Sequence, residues 1–134
     1  MKCRKIDDRD RELIKAASAA VERNYVAHRH SVGAAVLCSS GRIYAGVNVE
    51  SCGYGPCAEP IAIGRAITDG ERVFERIVAV GGASEPHNVM PPCGNCRQLV
   101  FDYAPECWVI LPHDGAVVKV QAKDLLPDAY NHFD

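Results

Sequence analysis

Apolar residues recur at Leu13, Ile14, Ala17, Ala20 and Val21. That spacing places them on one face of an α-helix, predicted over 10–25, with Asp10 available to cap its start. The pattern then changes period. Residues 31–37 and 43–49 are short apolar runs parted by Ser39-Ser40-Gly41-Arg42, which predicts a β-hairpin. A glycine-rich stretch, Cys52-Gly53-Tyr54-Gly55-Pro56, leads to a second helical pattern over 57–68, with Gly70 as its stop. Pro60 is compatible with that helix, because amides of the first turn have no intrahelical partner to lose. A third strand is predicted over 76–80, a polar loop over 83–92 and a helix over 94–103 that Pro105 ends. Strands over 107–111 and 116–120 flank His113-Asp114-Gly115, and a short helix over 122–126 precedes a tail at 131–134. Five strands with helices between them predict an α/β fold: a three-layer α/β/α sandwich around a five-stranded mixed sheet.

The 134 residues suit a single domain spanning 1–134. With 48% hydrophobic and 24% charged residues the composition is that of an ordinary globular chain. A net charge of −2 gives no electrostatic case for a nucleic-acid partner, and the small cluster Lys2, Arg4, Lys5 reads as a solvated surface. No apolar run approaches the roughly 20 residues of a membrane span, and the charged N-terminus has no signal-peptide core. The expectation is a cytoplasmic protein with no membrane partner. Seven cysteines in such a chain argue against a disulfide framework.

Three of those cysteines stand in a chemically informative pattern. Cys57-Ala58-Glu59 is followed, after thirty-odd residues, by Pro92-Cys93-Gly94-Asn95-Cys96. Three thiolates, Cys57, Cys93 and Cys96, suit a Zn2+ ion whose fourth position stays open for water. Glu59 lies beside them without being a ligand, where a proton shuttle for that water is needed. The spacing resembles the signature of base deaminases with a three-cysteine zinc site. Both motifs fall where a loop enters a helix, and helix N-termini stabilise thiolate. Two other readings compete. A redox Cys-x-x-Cys pair needs neither Cys57 nor Glu59, and a structural zinc site needs a fourth ligand, for which Cys52, His87 and Cys107 are candidates.

Over nearly its whole length the chain resembles the small cytidine deaminases and their relatives the blasticidin S deaminases. The resemblance is carried by Val32-Gly33-Ala34-Ala35, Gly46-Val47-Asn48-Val49-Glu50, Cys57-Ala58-Glu59, Pro92 to Gln98 and Leu125-Leu126-Pro127. It implies a hydrolytic deaminase of cytosine nucleosides, one zinc per chain and commonly a homotetramer. It further implies that Asn48 and Glu50 hold sugar hydroxyls. Ala58 would offer its amide to the base oxygen, and Pro91 its carbonyl to the amine. Arg97, next to the third cysteine, is the candidate cation to offset three thiolates.

The departures from that pattern concern the pocket. Pro60 stands where cytidine deaminases usually carry arginine, His30 where they carry an aromatic residue, and Tyr130 where a phenylalanine follows Leu-Leu-Pro. His30, Pro60 and the acidic end at 128–134 are consistent with a more open or acidic pocket mouth, suited to a charged nucleoside such as blasticidin S. Plain cytidine deamination in pyrimidine salvage is the alternative, and a non-catalytic zinc-binding protein on the same fold is the rival from another class.

Overall fold

The computed structural model describes residues 2–131. Its elements in chain order are β1 (Arg4–Lys5), α1 (Asp8–Asn24), β2 (Val32–Cys38), β3 (Ile43–Val47), α2 (Ala58–Thr68), β4 (Phe74–Gly81), β5 (Asn88–Met90), α3 (Gly94–Tyr103), β6 (Trp108–His113) and β7 (Ala116–Gln121). A 3-10 turn, Ala122–Leu125, closes the series. The strands form one sheet in the order β1-β7-β6-β4-β2-β3, with β5 paired to β4.

The sheet has seven strands, where the hydrophobic pattern predicts five. The two additions are β1, two residues long and fully exposed, and the three-residue β5 inside the predicted loop. Neither is long enough to show an alternating pattern. The edge of β4 explains β5. Arg76 and Ile77 pair in parallel with Trp108 and Val109 of β6, whereas Ala79, Val80 and Gly81 pair antiparallel with Met90, Val89 and Asn88. The freed amides and carbonyls of β4 are thus taken up by β5.

Strict alternation divides the core into two layers. Ala34, Val36, Ile77, Ala79, Val109 and Leu111 face α2 and α3, while Ala35, Leu37, Val78, Val80 and Ile110 face α1 with Leu13, Ala17 and Val21. Two glycines let helices lie close to the sheet. A Cβ on Gly33 would collide with the Ala17 carbonyl of α1. One on Gly46 would lie 2.8 Å from the Ala62 amide of α2. Gly46 therefore sets the height at which α2, and the residues at its start, sit over the sheet. At the β6–β7 hairpin, Asp114 and Gly115 both have positive φ, 49° and 81°, as a two-residue type I′ turn demands.

The cap of α1 is Asp7, not Asp10. The Asp7 carboxylate accepts the Asp10 amide at 3.0 Å, and Asp10 Oδ2 accepts the Asp7 amide at 2.9 Å. This is a capping box with aspartate in both places. Asp10 has a second, deeper task as well. Fully buried, Asp10 receives Arg76 of β4 at 2.7 Å and Lys119 of β7 at 2.8 Å. One carboxylate thereby ties α1 to two strands, and Asp7 shares both cations. Of the acidic end at 128–134, residues 132–134 lie outside the described residues.

The Asp10 amide, and after it Arg76 and Lys119, hold the Asp7 carboxyl well below the usual carboxylate range despite some desolvation. A depressed pKa contributes stability above the unfolded value near 4 and loses it as pH falls further. Asp7→Ala is expected to cost about 1 kcal/mol near neutral pH in urea unfolding, the usual loss for an N-cap. The gap from wild type should hold from pH 7 to 5 and narrow below pH 4. A gap independent of pH would remove the ionic part of this account.

Candidate functional site

Cys57 is the N-cap residue of α2 and Cys93 the N-cap residue of α3, and neither side chain makes a capping hydrogen bond. Both sulfurs thus stand at helix ends rich in unpaired amides. Cys96 follows within the first turn of α3, 1% exposed. The Sγ atoms of Cys57 and Cys93 are 3.6 Å apart, as are those of Cys93 and Cys96, and all three lie within 4.8 Å of one another.

This geometry fits a zinc ion. With Zn–S bonds of about 2.3 Å, tetrahedral sulfurs stand about 3.8 Å apart. The electrostatics agree. Burial pushes the Cys57 and Cys96 thiols up. Burial also acts on Cys93, but bonds from the Cys96 amide, the Cys96 and Cys57 thiols and the Asn95 amide together outweigh it and draw that thiol down. A bound cation is what ionises such a trio outright. Cys52 and Cys107, with His87, do not join the cluster: among the described residues it consists of Cys57, Cys93 and Cys96. That makes three candidate ligands, one fewer than a closed tetrahedral site needs.

Glu59 is 6% exposed in the first turn of α2. Burial pushes its carboxyl up, although its own amide and the Cys96 thiol oppose the shift. Glu59, Cys57 and Cys93 line a cleft of about 150 Å³, together with Asn48, Glu50, Met90 and Pro91.

Asn48 is 4% exposed. Its Oδ1 accepts the Ser31 and Val32 amides at 2.8 and 3.0 Å, and its Nδ2 donates to Glu50 Oε1 at 3.2 Å. The residue therefore clamps the start of β2 and orients Glu50. For a ligand it retains the second Nδ2 hydrogen. The His30 ring bonds the Asn48 carbonyl through Nδ1 at 2.9 Å. A carbonyl only accepts, so Nδ1 carries the proton.

Ala58 is fully buried at the first position of α2. Arg97 is tied to backbone: Nε donates to the Pro92 carbonyl at 2.9 Å and Nη1 to that of Leu125 at 3.4 Å. Arg97 and Glu59 also border a small apolar cavity of about 10 Å³. Tyr130 is 73% exposed and outside the cleft lining; its carbonyl accepts Gln98 Nε2 at 2.9 Å. Met90 and Ala79 line the cleft without any mark in the sequence, since each reads as an ordinary apolar position.

Comparison with known proteins agrees with the geometry. Residues 7–111 match the family model described as the cytidine and deoxycytidylate deaminase zinc-binding region. A blasticidin-S deaminase of Bacillus cereus is 36% identical over 137 residues, covering 97% of this chain and 98% of the relative. A cytidine deaminase of Halalkalibacterium halodurans is 37% identical over 123 residues, 88% of this chain and 91% of its own. The crystal structure of a cytidine deaminase from Burkholderia pseudomallei superposes with a TM-score of 0.75 at 38% identity, over 90% of this chain and 98% of that one.

Removing one thiol should empty the metal site, because a three-ligand site has no spare. The purified protein is expected to hold one zinc per chain by elemental analysis, and Cys93→Ala to hold much less than stoichiometric metal after dialysis. Equal zinc in the variant and the wild type would contradict the ligand assignment.

Proposed function

The chain belongs to the cytidine and deoxycytidylate deaminase family, and from that premise we propose that it hydrolyses the C4 amine of cytosine nucleosides. Water enters, ammonia leaves and the base becomes a uracil. The observation that carries the reading is Glu59, a carboxylate buried beside three converging sulfurs at the wall of an open cleft. A non-catalytic zinc protein has no use for that carboxylate.

Cys57, Cys93 and Cys96 are the zinc ligands in this reading, and zinc when bound supplies a water acidic enough to lose its proton near neutral pH. Glu59 takes that proton on a carboxylate oxygen, passes it to the ring nitrogen and then delivers a proton to the departing amine. Its burial supports this role, since a desolvated carboxylate is a stronger base than a solvated one. The Ala58 amide receives the base oxygen and the Pro91 carbonyl receives the amine. Glu50, oriented by Asn48, accepts from a sugar hydroxyl, and His30 and Tyr130 shape the pocket mouth. Arg97 offsets the charge of three thiolates while fixing the peptide before Cys93; its bond to the Pro92 carbonyl supports the second half of that role.

The substrate class includes nucleosides of the blasticidin S type as well as cytidine and deoxycytidine. Near-complete alignment with the Bacillus cereus relative supports the first, and the Asn48–Glu50 pair the second. We further read the chain as one catalytic domain that acts in the cytoplasm as a homotetramer. No helix among the described residues is long and apolar enough to cross a membrane. Tyr54 at 79% exposure and Val26 at 50% are large apolar groups suited to burial between copies.

Glu59→Gln tests the mechanism. The amide fills the same space and cannot accept a proton. Ammonia release from cytidine should fall by about 10²–10⁴-fold while zinc content and fold are retained. A variant nearly as fast as wild type would remove Glu59 from the reaction.

A further inference from the structure

The metal cleft has a neighbour inside the fold. The small apolar cavity of about 10 Å³ lies among β4, β6 and α3, where Ile77, Val100, Val109 and Leu125 line it. Three residues border both spaces: Glu59, Ala79 and Met90. They form the partition between the cleft and the cavity.

Only one of the three is free to move. Ala79 has no side-chain rotamers and lies within β4, paired with Ala34 on one edge and Met90 on the other. Glu59 is buried and, in the deaminase reading, committed to proton transfer. Met90 is an unbranched thioether with three rotatable bonds, 38% exposed at the end of the short strand β5. Its sulfur lies over Gly81, where a Cβ would come within 2.5 Å of it. The glycine thus leaves the room that the thioether occupies. An adaptable side chain with a cavity behind it yields to pressure from the cleft, whereas a close-packed one does not.

The chemistry says which part of a substrate presses there. Glu59 serves the ring nitrogen and the Pro91 carbonyl the amine. The carbon that bears the amine, C4, has two ring neighbours, that nitrogen and C5. With the nitrogen turned to Glu59, C5 is the neighbour left for Met90, the residue next to Pro91. We propose that Met90 sets the specificity of the site at C5 of the base, and that the site takes cytosine nucleosides bearing a methyl-sized apolar group there. Met90 moves toward the inner cavity to admit the group. A polar group of the same size would lose its hydrogen bonds against the thioether. The proposal rests on the deaminase reading and names a substrate class within it. The reaction is unchanged: water adds, ammonia leaves and the product is a 5-substituted uracil nucleoside.

The readout is the ratio of kcat/KM for 5-methylcytidine to kcat/KM for cytidine. Wild type should give a ratio no lower than about one tenth, the mild end of what one methyl group costs in an apolar pocket. Val109→Ile fills the cavity from β6, and Val109 does not line the cleft. It should lower the ratio by about tenfold or more, a usual cost of overpacking, with kcat/KM for cytidine within about twofold of wild type. Met90→Ile, branched and therefore stiff, should lower the same ratio from the cleft side, and Met90→Ala should raise it. A general loss of activity or of folded protein cancels in the ratio, so the Met90 variants are informative even where they are less stable. A wild-type ratio below about one tenth would overturn the proposal, as would an unchanged ratio in both Val109→Ile and Met90→Ile. Cytidine turnover would in either case leave the deaminase reading intact. Zinc-loaded wild type that turns over neither nucleoside would contradict the deaminase reading itself, and the proposal with it.

Discussion

Two helices have to begin at the same point in space. The sulfurs of Cys57 and Cys93 meet at 3.6 Å only because α2 and α3 start side by side on one face of the sheet. Everything that fixes the two starts is therefore part of the site. Gly46 lets α2 descend onto β3, and the buried faces of α2 and α3 share one apolar layer. Arg97 holds the Pro92 carbonyl just before Cys93. The convergence also makes the electrostatics workable. Three thiolates beside a carboxylate are a concentration of negative charge, and the amides at two helix ends face it. Arg97, the cation proposed to offset that charge, is itself bonded to backbone carbonyls.

The far side of the sheet meets a different constraint. Asp10 is a fully buried charge, tolerable only because Arg76 and Lys119 both reach it. The pair of cations comes from β4 and β7, so the network locks α1 against strands on either side of β6. Helix α1 thus covers one face through an ionic anchor and an apolar stripe, and the opposite face stays available for the chemistry.

The helices, the main strands and the cluster of three cysteines were legible in the sequence. Helical spacing marks α1 and α3 to within two residues, and the cysteine spacing announces the metal cluster. What escaped has physical causes. Strands β1 and β5 are too short for any alternation and exist because neighbours offer unpaired edges. The capping box was hidden by Asp10, which looks like a cap on the hydrophobic pattern and is a core residue in space. Asn48 reads as a sugar-binding residue, yet its carbonyl oxygen is occupied by backbone amides of β2. Side-chain hydrogen bonds across distant segments leave no periodic trace.

The central claim is a metal held by three sulfurs with one position left for water, poised beside Glu59. X-ray absorption at the zinc edge of the purified protein measures this directly. The account predicts about three sulfurs near 2.3 Å and one oxygen near 2.0 Å. A shell of four sulfurs would mean a closed structural site and would contradict it.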